Sequence, residues 1–433
     1  MQVELEISAV AHGGHGVARI PADSPLAGEA GRVVFVRHAL PGETVLAEVT
    51  SQGKVWRADA IEVLAGASRF RVPSAWPAAG PGGVGGGELA HVSPQGQQRW
   101  RAAVLTDQLR RLARIDVADI RPEFAISARD LQSLSPFSGA SPGISILPGG
   151  ALGYRTRMTF HTDDDGALGM RKHQSHQVVP LASMPLATPA LQQYAEQTGV
   201  WGRRWAAHTR VTLVLPAGQP PSAGLTLING ETAGPRGGQG GDVVIETVQV
   251  GDATHVYEVP ADGFWQVHAA APTWLATEVL AAAQVEPGER VLDLYAGAGL
   301  LTVPLAAAVG PNGRVVGIEG AKRAAASGAK NLAAYPQARM VAGDVARSLH
   351  RLQLEPWNTV VLDPPRTGAG RAVVEQVASF KPTRIVYVAC DPAALARDIN
   401  YFQQLGYELT NLSAADLFPM THHFESIATL TRF

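Results

Sequence analysis

The sequence predicts an α/β protein: a doubly wound, largely parallel C-terminal sheet with an antiparallel last strand, preceded by a small N-terminal β-barrel and an α+β central region. Three observations carry this. Five short apolar runs recur between residues 291 and 389, separated by helical segments, as parallel strands with crossover helices require. The first of these runs enters a glycine-rich turn, Tyr295–Ala296–Gly297–Ala298–Gly299. The last two β-type runs, Tyr407–Asp416 and Ser426–Phe433, have no helix between them, so they pair as a hairpin and the final strand runs against the sheet.

The elements follow in order. Val3–Leu64 alternates β-type runs with turns, including Ala11–Arg19 (AHGGHGVAR) and Val34–Glu43 (VFVRHALPGE), the pattern of a small barrel. Residues 65–262 are less regular. Pro81–Gly87 (PGGVGGG) reads as a flexible linker. Gln95–Ile115 reads as a helix carrying Arg99, Arg101, Arg110, Arg111 and Arg114, and Gly153–Phe160 alternates as a strand. With Arg171–Lys172–His173 and Arg203–Arg204, these arginines are candidates for phosphate contact. Val211–Leu215, Leu225–Ile228 and Val243–Val248 are expected to form an antiparallel sheet.

In the C-terminal part, Val291–Leu294 leads through the glycine turn into a helix over Leu300–Val309. Val315–Ile318 ends in Glu319, about the spacing at which an acidic residue takes ribose hydroxyls in dinucleotide-type folds. Met340–Ala342 is followed by Gly343–Asp344, Thr359–Leu362 by Asp363–Pro364–Pro365–Arg366, and Arg384–Ala389 by Cys390. Polar or reactive residues thus recur at the carboxyl ends of strands, where open α/β sheets bind ligands. An antiparallel last strand begins at that same edge, which places Glu425 on one rim with Asp363 and Cys390. Cys390 is the only cysteine. It excludes an internal disulfide and a cysteine-ligated metal site, and leaves a core thiol or a nucleophile.

Four segments in this order, Asp293–Gly299 (DLYAGAG), Asp363–Gly368 (DPPRTG), Ala389–Pro392 (ACDP) and His423–Ala428 (HFESIA), resemble the RNA uracil-5-methyltransferases, which make 5-methyluridine with S-adenosylmethionine. Phe264–His268 (FWQVH) resembles that family's Phe-x-Gln-x-Asn segment, and Gly153–Arg157 (GYRTR) its Gly-Tyr-Arg-Asn-Lys segment. The N-terminal region resembles the TRAM domain, an OB-like barrel that binds nucleic acid. The resemblance implies a Rossmann-like methyltransferase domain over 263–433, a TRAM domain over 1–64, and a central substrate-recognition domain over 65–262. It implies Cys390 as the nucleophile that adds to C6 of uracil, Glu425 as the base that removes the C5 proton, and S-adenosylmethionine held by Gln266, Tyr295, Gly297, Gly299, Glu319, Asp344 and Asp363. Glu319 would take the ribose hydroxyls and Asp344 the adenine amino group.

The sequence also departs from the family. Many relatives carry four cysteines for an iron–sulfur cluster around a Cys-Gly-Gly-Cys segment; Val84 and Gly87 stand at two of those positions, so no iron–sulfur cluster is expected. His268 stands where the pattern has Asn. A hydrophobic content of 46% with 17% charge predicts an ordered globular chain, and 433 residues allow two or three domains. At a formal net charge of −2, RNA binding must come from local patches. No apolar run is long enough to span a membrane. The expected state is a cytoplasmic monomer acting on ribosomal or transfer RNA. Two other readings remain open at this level: a cytosine-5 or amino-group methyltransferase using the same cofactor, and a catalytically inactive RNA-binding protein.

Overall fold

The structure, a computed structural model, describes residues 1–24, 26–121, 143–173, 175–233, 243–352 and 356–433. The N-terminal unit is a six-stranded sheet of β1 (Gln2–Glu6), β2 (Ala9–Ala11), β3 (His15–Arg19), β4 (Val33–Arg37), β5 (Thr44–Gln52) and β6 (Trp56–Ala65), in the order β1-β5-β6-β4-β3-β2. β1 alternates exposed and buried residues, and Val3, Leu5, Val34, Val36, Val45 and Ala47 meet in one core. That alternation closes a curved sheet around a single apolar face.

A helix α1 (Pro94–Gln108) follows, capped by Ser93 and started by Pro94, and continues as a π-helical turn over Leu109–Ala113. This helix corrects part of the expected phosphate-binding surface. Arg99 and Arg101 are buried, and Arg101 pairs with Asp416 at 2.7 Å. Arg110 and Arg111 are exposed but pair with Asp107. A buried guanidinium needs a carboxylate and carbonyls; Arg101 finds the second in the Thr421 carbonyl at 2.7 Å.

The central region adds β7 (Ile144–Ile146), β8 (Arg157–Thr162), β9 (Leu168–Arg171), β10 (Val178–Pro180), α2 (Pro189–Gln197), β11 (Arg210–Val214), β12 (Leu225–Ile228) and β13 (Glu231–Thr232). Its sheet has the order β10-β9-β8-β11-β12-β13. The run at Val243 does not join it. β14 (Val243–Val250) pairs instead with β15 (Ala253–Pro260) as a separate two-stranded hairpin, which packs on helices of the C-terminal part. The reason is visible in the burial of β14, whose alternate residues Val244, Glu246, Val248 and Val250 point inward.

The C-terminal part comprises α3 (Ala271–Ala283), β16 (Arg290–Leu294), α4 (Thr302–Val309), β17 (Arg314–Glu319), α5 (Lys322–Asn331), β18 (Ala338–Ala342), α6 (Val345–His350), β19 (Thr359–Leu362), α7 (Gly370–Ser379), β20 (Arg384–Ala389), α8 (Pro392–Gln403), β21 (Tyr407–Asp416) and β22 (Glu425–Arg432). Its eight strands run β18-β17-β16-β19-β20-β22-β21-β7. β16 to β20 are parallel, and β22 is antiparallel to both β20 and β21, as the missing helix required. Alternate residues of each strand feed two cores, Leu292, Val360 and Ile385 on one face and Val291, Val361 and Val386 on the other. A sheet covered on both faces explains why its strands read as unbroken apolar runs.

Candidate active site

The carboxyl edge of this sheet gathers the polar residues. β16 turns into α4 through Tyr295, Gly297 and Gly299, all at positive φ (64°, 57° and 90°). The two glycines adopt this conformation freely, whereas Tyr295 is held there against its preference. The turn borders an open cleft lined by Phe264, Gln266, Tyr295, Gly297, Leu300 and Asp363. A side chain built on Gly297 would meet nothing within 4 Å, so this backbone faces open space and a ligand can approach it closely. Glu319, at the end of β17, anchors the turn. Its Oε2 accepts the Gly297 N–H at 2.8 Å and its Oε1 the Ala321 N–H at 2.6 Å. Asp344 caps α6, accepting the Arg347 N–H at 3.0 Å. Gln266 is buried in the cleft wall and Phe264, 77% exposed, stands at its mouth.

Strand register sets the reacting groups side by side. β19 pairs with β20 and β20 with β22, so Asp363 after β19, Cys390 after β20 and Glu425 at the start of β22 follow one another along one edge, while Asp293 lies inside β16, opposite Val361 and two residues short of Asp363. Ser426 lies opposite Ala389, the residue before Cys390. Asp293 and Glu425 are buried. Thr302 Oγ1 donates to Asp293 Oδ2 at 2.5 Å, while Asp293 Oδ1 and Glu425 Oε1 have no hydrogen-bond partner among the described residues.

Burial shapes the electrostatics. It pushes the Asp293 carboxyl up to about 7 against the Thr302 hydrogen bond, with the Asp363 and Glu319 charges adding to the rise. Burial also pushes Asp363 up to about 7. Burial and Asp363 drive Glu425 well above the ordinary carboxylate range, with Arg366 opposing. Burial, then Glu425 and Asp363, push the Cys390 thiol up to about 12. Near neutral pH the edge therefore holds protons on Glu425 and Cys390 and leaves Asp293 and Asp363 divided between their two forms.

Several residues in this neighbourhood escape sequence reasoning. Asp391 caps α8 by accepting the Ala394 N–H at 2.8 Å, and its other oxygen lies 3.0 Å from His12 Nε2 in the barrel's β2–β3 turn. Although burial works the other way, the hydrogen bond to His12 holds the Asp391 carboxyl below its usual value. Glu88, in the segment before α1, accepts the His422 backbone N–H at 3.1 Å and also contacts His422 Nδ1. The His422 and His423 rings, three and two residues before Glu425, lie 3.8 Å apart, centroid to centroid. An Asp–Pro pair opening a helix was the one legible sign of the Asp391 cap. The barrel-to-rim contacts carry no sequence signal. His268 is buried, accepts the Ala270 N–H on Nδ1 and stacks on Tyr154 at 5.1 Å.

A model of the tRNA (uracil-5-)-methyltransferase family matches residues 228–433, and one of the TRAM domain matches residues 2–53. The chain is 32% identical to a 23S rRNA (uracil(1939)-C(5))-methyltransferase of Acinetobacter baumannii, across 98% of this chain and 94% of that one. The chain belongs to the RNA (uracil-5-)-methyltransferase family. It is also 38% identical to an uncharacterized RNA methyltransferase of Streptomyces avermitilis, across 99% and 98% of the two chains. Its fold matches a Pyrococcus abyssi tRNA (uracil-54, C5)-methyltransferase crystallised with S-adenosyl-L-homocysteine, at a TM-score of 0.65 and 17% identity, over 99% of both chains. This RNA (uracil-5-)-methyltransferase is an S-adenosylmethionine-dependent enzyme, and the residues of the cleft fit that cofactor: an open backbone at Gly297, a turn held by the acidic strand end Glu319, and the Asp363 carboxyl in the lining.

In this RNA (uracil-5-)-methyltransferase, packing occupies the two positions where many relatives hold cluster cysteines. Val84 is fully buried in a core with Trp76, Ala79, Met184 and Met420. A side chain built on Gly87 would lie 2.5 Å from the Ala79 Cβ and 3.0 Å from Trp76 Cε3, so the Trp76 ring lies against that position. Among the described residues no helix is long and apolar enough to cross a membrane.

Proposed function

We propose that this enzyme methylates C5 of a uridine through a covalent adduct on Cys390, with Glu425 as the base. The observation that supports this reading is the placement of Cys390, Asp363 and Glu425 on adjacent strand ends at the edge of the cofactor cleft. Uracil C5 is too weak a nucleophile to take a methyl group unaided. Addition of the Cys390 sulfur to C6, its proton passing to uracil O4 and returning on elimination, gives C5 enol character, which splits one hard step into easier ones. S-adenosylmethionine supplies an electrophilic methyl group beside a sulfonium charge. The Glu425 carboxylate then removes the C5 proton, the C6–S bond breaks, and the Cys390 sulfur leaves as it came.

Within the cleft, the Gly297 and Gly299 backbone allows close approach, Glu319 takes the ribose hydroxyls and Asp344 the adenine amino group, while Gln266, Tyr295 and Asp363 enclose the reacting end. The target uridine must leave its stack to reach Cys390, and exposed Phe264 at the cleft mouth offers a flat apolar surface to a base. We divide the chain into a barrel that contacts RNA (1–64), a substrate-recognition unit (65–262) and the catalytic unit (263–433). Near-full-length similarity to a 23S rRNA enzyme favours ribosomal RNA, with transfer RNA second. The enzyme would act as a cytoplasmic monomer, in keeping with its single free thiol.

The test is transfer of isotope-labelled methyl groups to 23S rRNA and to transfer RNA, followed by nucleoside mass spectrometry. Label in 5-methyluridine supports the reading. Label in a cytosine or an amino group would reject it, and loss of no activity in Cys390→Ala would reject the covalent route.

A further inference from the structure

Three carboxyls stand near Cys390 at this edge, Asp293 and Glu425 buried and Asp363 half-buried, and none of them has an ion-pair partner among the described residues. One oxygen of Asp293 and one of Glu425 have no hydrogen-bond partner either. Such groups are costly to bury as anions. The charged and titratable groups around them are Glu319 and Asp344 at neighbouring strand ends, Tyr295 on the turn, and Cys390 and Asp391 after β20. Arg366 is the nearby cation, and it forms no ion pair with any of the three among the described residues. His423, in the loop before β22, is itself driven neutral by burial and by the charges of His422 and Arg366.

We infer that this trio discriminates the cofactor from its product by charge: the sulfonium is the cation the carboxyls lack, and its arrival expels a proton that the neutral thioether product does not. This rests on the cofactor reading above. The sequence balances. A carboxylic acid at the edge loses its proton to solvent as the cation binds, leaving a carboxylate–sulfonium pair. Methyl transfer converts the sulfonium to a thioether and removes the positive charge. As the Cys390 sulfur adds to C6 its S–H proton passes to uracil O4; after methyl transfer the carboxylate accepts the C5 proton, the C6–S bond breaks, and the O4 proton returns to the sulfur. The edge is then a neutral acid beside a neutral product, as in the free enzyme. The net proton of the reaction, RNA–H plus sulfonium giving RNA–CH₃, thioether and H⁺, has thus left at cofactor binding. Glu425 consequently becomes a competent base only when the cofactor is present, and the spent product holds no charge attraction to the site.

The test is titration calorimetry of the full-length enzyme with S-adenosylmethionine and with S-adenosylhomocysteine, each in two buffers of different ionisation enthalpy near pH 7. The two ligands share the amino acid and the adenosine, so the difference between them isolates the sulfonium. We expect about one more proton released with S-adenosylmethionine, and an affinity for it that increases as pH is raised, up to tenfold per unit below neutrality, while that for the product changes less. The difference should shrink in Glu425→Gln and in Asp363→Asn, and the two are compared because each leaves the neighbouring carboxyl in place. Equal proton counts for the two ligands, with both bound, would overturn the inference and leave the cofactor reading intact. Binding of neither ligand would overturn both.

Discussion

At the scale of single residues, the chemistry turns on groups held in the wrong protonation state until they are needed. Cys390 is a neutral thiol at rest, pushed up to about 12 by burial and by the neighbouring Glu425 and Asp363. It differs in this from cysteines activated by a helix N-terminus or an imidazolium. Its reactivity must therefore be created within the assembled complex. Glu425→Gln keeps size and most hydrogen bonding but cannot accept the C5 proton. Addition and methyl transfer should proceed while elimination stalls, so the variant should hold RNA in a methylated adduct visible on a denaturing gel; wild-type turnover without adduct would move the base to another group. Glu319→Ala should weaken S-adenosylmethionine binding by about 1.5–3 kcal/mol. The loss combines the hydroxyl contacts with slackening of the Gly297 and Ala321 amides that Glu319 now holds. Calorimetry showing unchanged affinity would remove Glu319 from the cofactor site.

At the scale of elements, the proposed catalytic pair, Cys390 and Glu425, is braced from the N-terminal half. His12 meets Asp391, the residue after Cys390, and Glu88 meets His422, three residues before Glu425. The loop between is held as well, since Arg101 pairs with Asp416 and Gln97 accepts the Met420 N–H at 2.8 Å. His12→Ala removes a half-exposed pair worth only about 0.2–1 kcal/mol of stability. If the contact aligns the nucleophile, the variant should lose several-fold in kcat with cofactor affinity unchanged and its melting temperature little altered; an unchanged kcat would make the contact merely structural. These contacts bridge 379 and 334 residues, which is why no local pattern announces them. The strands of the catalytic sheet were legible because burial on both faces leaves unbroken apolar runs, and Cys390, Asp363 and Glu425 were legible because each borders such a run. The arginines of α1 misled for the opposite reason: helical spacing does not distinguish an arginine facing phosphate from one, like Arg101, buried against a carboxylate. β14 was legible as a strand, but its partner was decided by packing on helices elsewhere.

At the scale of the whole molecule, RNA binding by a chain of formal net charge −2 depends on arrangement rather than total charge. The buried imidazoles set its response to acid. His15, His38 and His268 are pushed down to about 4 and His423 to about 3, in each case by burial first and then by neighbouring positive charge. The folded state keeps them neutral while the unfolded chain protonates them below about 6.5, so their contribution to stability is present above that pH and is lost as pH falls toward 4. Asp293 and Asp363, raised to about 7, work oppositely: their contribution is full below about 4 and fades as pH rises through 7. With more imidazoles than raised carboxyls, the melting temperature of the cofactor-free enzyme should drop by several degrees between pH 6.5 and 4.5; a melting temperature that rises over that interval would show the carboxyls dominating. The central claim is the covalent one, and a single trapping measurement reaches it. Full-length enzyme is incubated with S-adenosylmethionine and RNA carrying 5-fluorouridine, whose fluorine cannot leave as a proton does, and the complex is digested and read by mass spectrometry. The account predicts a methylated fluorouridine attached to the peptide bearing Cys390, and none in a Cys390→Ala variant that still folds and binds cofactor. Methylation of unmodified RNA by that variant at the wild-type rate, or a nucleotide attached to any other residue, would contradict it.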